Sequence, residues 1–204
     1  MIALQDLRRR INRKLEIGAL PAKVLQSKFK VGLPSSVHGD PTYMPFYYQL
    51  GRLLKGAKNL IEFGFDLGMP SGCFIDGCGG IESLLAFRKK DNQYYTKRLG
   101  VSNIHNILRK KFDLWVGDET DPEFVKMVLL RKWDCVIICD GGKKEQTYRA
   151  YLDLVWNQMM HGGLIIIDHL SETPAKAAYE LFCKLQSREP FVFDTYRGTG
   201  ILQR

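Results

Sequence analysis

From Asn59 onward, short runs of apolar residues alternate with longer stretches in which apolar residues recur every three or four positions. The short runs read as strands buried on both faces, and the longer stretches as amphipathic helices. The pattern predicts strands at 59–63, 83–87, 112–116, 135–139, 164–167, 191–195 and 200–203. Among the helices, Asp121-Pro122 reads as an N-cap with proline at the first helical position. Tyr148, Tyr151, Leu152, Val155 and Met159 make an apolar stripe, with His161-Gly162-Gly163 as its stop. A further helix starts at Thr173-Pro174 and turns Ala178, Leu181, Phe182 and Leu185 inward, and an earlier one starts at Pro45 with Tyr47, Leu50 and Leu54 on one face.

Strand and helix in alternation imply a parallel sheet covered on both faces. The last two strands break that rule, because 196–199 is too short for a parallel crossover and must close a hairpin. The expected fold is therefore α/β and Rossmann-like: a mostly parallel seven-stranded sheet ending in an antiparallel hairpin, with helices on both faces.

The segment before the sheet has a different character. Leu4, Leu7, Ile11 and Leu15 recur at helical spacing among Arg8, Arg9, Arg10, Arg13 and Lys14. Residues 1–58 carry eleven Lys and Arg against three Asp and Glu, whereas 59–204 carry nineteen of each, so the net charge of +8 lies entirely in the first part. A basic amphipathic helix can pack against its own domain, mediate a homo-oligomer, or meet an anionic surface such as nucleic acid. Residues 20–44, rich in Pro, Gly and Ser, read as an irregular connection. Tyr43, Phe46, Tyr47 and Tyr48 then offer aromatic surface either to a lid over a site or to the packing of the first core helix. The expected organisation is a basic helix and connection over 1–42 and one domain over 43–204.

With 45% hydrophobic and 25% charged residues, the chain suits a single α/β core. Its apolar runs are much shorter than the roughly 20 residues a membrane span needs, and charge appears by Asp6, so neither a span nor a signal peptide is expected. Five cysteines, at 73, 78, 135, 139 and 183, include no Cys-x-x-Cys pair and read as buried thiols in a reducing, cytoplasmic setting. Cys135 and Cys139 share one strand face by their even spacing and are expected to be packing residues.

Candidate chemistry gathers where the strands end. After the first strand stands Glu62-Phe63-Gly64-Phe65-Asp66-Leu67-Gly68, an acid followed by a glycine-punctuated turn into a helix. Such a turn lets the backbone approach a nucleotide cofactor, and the acid can accept hydrogen bonds from a ribose or an amine. Gly117-Asp118 follows the third strand, Asp140-Gly141-Gly142-Lys143 the fourth, and Asp168-His169 the fifth. In an open α/β sheet this is the edge that binds ligands, although an Asp there can also cap the next helix.

These motifs, with the terminal hairpin, resemble the class I S-adenosylmethionine-dependent methyltransferases over roughly residues 43–204. The set Asp140, Lys143, Asp168 and His169 is similar to that of the cation-dependent O-methyltransferases, the catechol and caffeoyl-coenzyme A type. The resemblance implies S-adenosylmethionine held by Glu62, Gly64, Phe65, Asp66, Gly68, Asp91, Asp118 and Asp140. It implies Mg²⁺ or another divalent cation on Asp140, Asp168 and His169. It also implies a small-molecule hydroxyl acceptor deprotonated with the help of Lys143 and Asp140.

Three positions depart from the family. His169 stands where the family has Asn, and imidazole suits zinc, iron or nickel better than magnesium. Arg88, Lys89 and Lys90 follow the second strand where the family has a ribose-binding acid, with Asp91 displaced from it; a basic residue there can meet the 2′-phosphate of NADP. Asp66 occupies a glycine position of the turn. A nucleic-acid (RNA) methyltransferase using the basic arm, and a non-catalytic protein on the same fold, are the other readings. Trp115 is read either as interior packing or as the edge of an adenine site, and Arg197 as a hairpin residue able to touch an acidic substrate.

Overall fold

The computed structural model of the chain describes residues 6, 9, 10, 43–65, 67–89, 101, 104, 108, 111–140, 143–195 and 197–204. Of the basic arm, Asp6, Arg9 and Arg10 fall within this set; they are helical, and Arg9 Nη2 meets Asp6 Oδ1 at 2.9 Å. The expectations for the rest of 1–42, and for Asp66 and Asp91, lie outside the described residues.

The described residues form two compact units. The first contains helices α1 (Tyr43–Leu53) and α2 (Met69–Cys78). Helix α1 begins two residues before Pro45, so the proline sits in the first turn, where its missing N–H is not needed. Phe46 and Tyr47 are buried and meet edge to face at 5.4 Å, which makes them interior packing. The two helices approach through their glycines: a Cβ added at Gly51 would lie 2.1 Å from the Phe74 carbonyl oxygen, and one at Gly77 would lie 2.1 Å from that of Tyr48. Gly51→Ala is therefore expected to destabilise the protein by about 1–3 kcal/mol through overpacking, although alanine is the better helix former by about 1 kcal/mol. Denaturant midpoints of the two proteins test this, and an unchanged or raised midpoint would refute it.

The second unit carries the sheet. Its strands are β1 (Asn59–Phe63), β2 (Ser83–Lys89), β3 (Lys111–Gly117), β4 (Trp133–Ile138), β5 (Met159–Ile167), β6 (Val192–Phe193) and β7 (Thr199–Gln203). They lie in the order β3-β2-β1-β4-β5-β7-β6. β1, β4 and β5 pair in parallel, and β7 runs antiparallel between β5 and β6. The mostly parallel sheet with its antiparallel end is the arrangement the sequence predicts.

Helices α3 (Pro122–Leu129), α4 (Glu145–Trp156) and α5 (Thr173–Leu185) belong to the same unit. α3 opens as expected, with the Asp121 carboxylate accepting the Glu123 backbone N–H at 2.9 Å. Alternate residues of the central strands, Ile61 and Phe63, Val136 and Ile138, Ile165 and Ile167, join the apolar faces of these helices in one core. Phe63 stacks on Tyr151 of α4 at 4.4 Å between ring centres, and Phe87 lies 4.7 Å from Phe124 of α3. Trp133 and Trp156 are interior, and Trp115 is partly buried against the core. Among the described residues no helix is long and apolar enough to cross a membrane.

Several positions differ from the sequence reading, Met159 among them, which lies in β5 and not in α4. His161, Gly162 and Gly163 do not stop α4, which ends at Trp156; they lie inside β5. Between the pairs Trp133↔Met159 and Cys135↔Leu164 the β5 strand bulges, with Gly162 at φ 79° supplying a left-handed residue. The glycines that suggested a helix terminus thus serve a bulge, and the two uses look alike in a sequence. Leu185 faces solvent at 61% exposure, while Tyr179 and Cys183 take the inward positions, because the inner face of α5 follows Ala175, Ala178 and Phe182. β2 continues through Arg88, which is buried.

Candidate functional site

The glycine turn after β1 is built by close backbone contact. Gly64 has φ 87°, and its N–H and that of Phe65 both donate to the Phe87 carbonyl, at 3.0 and 2.9 Å. A Cβ at Gly64 would lie 2.4 Å from the Cys139 carbonyl oxygen and 2.6 Å from Asp140 Cα. The turn is therefore pressed against the end of β4. Glu62 lies on the sheet face opposite Ile61 and Phe63 and is buried, as is Phe65. Gly68 belongs to the first unit, where it caps α2 with φ 65°.

At the end of β3, Asp118 is exposed. Its Oδ1 accepts the Thr120 backbone N–H at 2.9 Å and the Thr120 hydroxyl at 2.7 Å. These two bonds, with a smaller contribution from the charge of Lys89, hold its carboxyl below the usual range. Lys89 Nζ also approaches Glu119 Oε2 at 3.8 Å.

Beyond β4 the chain divides its chemistry by strand parity. Val136 and Ile138 face α4, so Asp140 continues on that side. Its Oδ2 accepts the Tyr151 hydroxyl at 2.8 Å, its Oδ1 lies 3.3 Å from Lys143 Nζ, and its backbone carbonyl accepts the Tyr148 hydroxyl at 2.8 Å. Burial first, then nearby carboxylates, raises both tyrosines well above the ordinary phenol range, so both hydroxyls remain donors.

Cys139 points to the other face. In register Ile138 stands opposite Ile167, which brings the next pair, Cys139 and Asp168, side by side. The Cys139 thiol lies 3.6 Å from Asp168 Oδ2 and 3.9 Å from His169 Nε2. Asp168 is fully buried, and its Oδ1 accepts the Thr199 hydroxyl at 3.0 Å; Thr199 in turn shares a 2.7 Å bond with Thr195. His169, at φ 66°, is a non-glycine residue in the left-handed region. Its Nδ1 meets Glu172 Oε1 at 3.1 Å. Arg197 Nη1 is 3.1 Å from both ring nitrogens, a position over the ring, since the in-plane directions of the two nitrogens diverge.

Of the residues expected at strand ends, Asp140 and Lys143 come together, and so do Asp168 and His169. Cys139, read as packing, is only partly buried and joins the latter pair, whereas Cys135 is buried. The signal for Cys139 was its parity with Asp168 rather than its residue type. Tyr151, Glu172 and Thr199 were also missed, each hidden in an ordinary helix or strand pattern. The donors that converge, one sulfur, one nitrogen and one carboxylate oxygen, do not suit Mg²⁺, which prefers an octahedral shell of oxygens.

No family model and no curated protein matches this sequence. Solved structures do match. The O-methyltransferase of Bacillus cereus, crystallised with S-adenosylhomocysteine, is 16% identical, with a TM-score of 0.63 over 96% of this chain and 91% of that one. The O-methyltransferase TomG of Streptomyces achromogenes, in complex with S-adenosylmethionine, is 11% identical, with a TM-score of 0.65 over 98% of each chain. A methyltransferase of Podospora anserina bound to S-adenosylhomocysteine is 10% identical, with a TM-score of 0.62 over 98% of this chain and 96% of that one. The chain thus shares the fold of these methyltransferase structures, a seven-stranded sheet with an antiparallel end.

Proposed function

We propose that the protein is an S-adenosylmethionine-dependent methyltransferase that methylates a hydroxyl group of a small molecule. The observation that carries this reading is the Gly64 turn pressed against Cys139 and Asp140 beside the Asp140–Lys143 pair, at the ligand-binding edge of a methyltransferase fold. In the transfer, the acceptor oxygen forms a bond to the methyl carbon as the carbon–sulfur bond breaks. The sulfonium becomes a neutral thioether, and the hydroxyl proton must leave.

The protein's task is alignment and proton handling. Gly64 allows close approach of the methyl donor, and the acids Glu62, Asp118 and Asp140 favour its cationic sulfonium and its polar ribose and amine groups. Asp140, fixed by Tyr151, holds Lys143, whose ammonium compensates the developing oxyanion or, after giving its own proton to solvent, takes that of the hydroxyl as the neutral amine. No step is assigned to magnesium.

Calorimetry with S-adenosylhomocysteine tests the reading. We expect one-site binding in the micromolar range, weakened about tenfold by Asp118→Ala, the loss of a hydrogen bond to a charged acceptor. A folded protein that releases no heat with either S-adenosylmethionine or S-adenosylhomocysteine would overturn it.

A further inference from the structure

We infer that Cys139, Asp168 and His169 form a binding site for a thiophilic divalent cation of the zinc class. The inference rests on the donor geometry and does not depend on the protein being a methyltransferase.

The distances match a tetrahedral ion. With a zinc–sulfur bond of about 2.3 Å, bonds of about 2.0–2.1 Å to nitrogen and oxygen, and tetrahedral angles, the sulfur should stand about 3.6 Å from each of the other donors. The thiol stands 3.6 Å from Asp168 Oδ2 and 3.9 Å from His169 Nε2. All three donor atoms lie within 4.8 Å of one another. Among the described residues this is the group of His, Cys, Asp and Glu side chains that converges in this way.

The surrounding contacts orient each donor as they do in metal sites. Glu172 at Nδ1 selects the tautomer that donates there, which leaves the in-plane Nε2 lone pair facing Cys139. Arg197 Nη1 lies over the ring, 3.1 Å from both nitrogens, and its charge must be outweighed by the Cys139 thiolate and the Asp168 and Glu172 carboxylates when a cation binds. Thr199 occupies Asp168 Oδ1 and leaves Oδ2 turned toward the thiol. A fully buried carboxylate with one strong hydrogen bond is costly to keep, and a cation on its second oxygen would offset that cost.

The backbone provides an independent sign. His169 holds a left-handed conformation that costs on the order of 1–3 kcal/mol, of the kind found at functional sites. The residue is held there by Glu172, whose N–H donates to its carbonyl at 2.8 Å. A β-strand continuing past Asp168 would send this side chain to the opposite face. The left-handed turn brings it back toward Cys139.

Three protein donors leave one vertex of a tetrahedron for a water or a ligand oxygen. Binding also has a proton balance: the Cys139 S–H bond breaks, the proton goes to the buffer, and a sulfur–metal bond forms. Magnesium offers no such partner to sulfur.

The test uses the full chain, stripped with a chelator and titrated with cobalt(II), which shows its ligands in its spectrum. One cobalt per chain is expected, with a sulfur-to-cobalt charge-transfer band, displaced by zinc and unaffected by excess magnesium. Cys139→Ser should abolish the band. Glu172→Gln, at a partly exposed position that leaves the core intact, should keep the band and weaken cobalt binding by about 10–100-fold. Circular dichroism verifies folding of both variants. A spectrum without sulfur ligation, a band that survives Cys139→Ser, displacement by magnesium, or affinity unchanged in Glu172→Gln would each overturn the site. Calorimetry of the metal-free chain with S-adenosylhomocysteine reports separately on cofactor binding, so the two failures cannot be confused.

Discussion

Gly64→Ala is expected to cost about 3 kcal/mol of stability and more than a hundredfold in S-adenosylhomocysteine affinity. Two effects add. An L-residue in the left-handed region costs about 1–2 kcal/mol, and forcing packed atoms apart costs about 1–3 kcal/mol. The atoms in the way are the Cys139 carbonyl and Asp140 Cα, main-chain atoms that no rotamer change can move aside. Relief must come from a shift of the β4 end, which carries both the Asp140–Lys143 pair and Cys139. A displacement of about 1 Å there is enough to lose two orders of magnitude in a positioned site. Denaturant melts and calorimetry on the same preparation measure the two parts, and an alanine variant equal to the parent in both would show that the turn is not pressed against β4.

Lys143→Met should lower kcat by about 10²–10⁴-fold, the range of a positioned general acid–base group, while leaving S-adenosylhomocysteine binding within about twofold. Methionine keeps the unbranched chain out to the ε carbon and removes the amine. Asp140 retains the Tyr151 hydroxyl at 2.8 Å, so stability should fall by no more than about 1 kcal/mol. Lys143→Arg restores the charge without an amine that can readily take a proton, and it separates electrostatic compensation from proton transfer. If Arg recovers most of the rate, Lys143 acts through charge; if it does not, it acts as the base. Turnover is followed as S-adenosylhomocysteine released with any hydroxyl acceptor that the parent methylates, and a kcat unchanged in the methionine variant would remove Lys143 from the chemistry.

The sheet was legible because fully buried strands leave continuous apolar runs and because a four-residue link can only close a hairpin. Strand-end positions were legible for the same reason: Gly64, Asp118, Asp140, Lys143, Asp168 and His169 are where polar residues resume after an apolar run. Direction was harder to read. Asp140 and Asp168 look equivalent in the sequence, yet parity within β4 and β5 turns the first toward Tyr151 and the second toward Cys139. The left-handed turn at His169 leaves no local signal, since His in that conformation is set by tertiary contacts. Arg197 was placed in the right turn, but its neighbour is the imidazole of His169.

The outer margins of the sheet have a consequence for how the protein behaves at high concentration. A margin strand displays a row of amide and carbonyl groups on which a second chain can grow, the first step of cross-β aggregation. At one end that row is the two residues of β6, too short to template a foreign strand. At the other end β3 begins with Lys111 and carries Asp113, which is tied to Arg131 at 3.0 Å; charges of this kind discourage pairing with another copy. A sheet with so much Ile in its centre thus has two margins that offer little to a second copy of the chain.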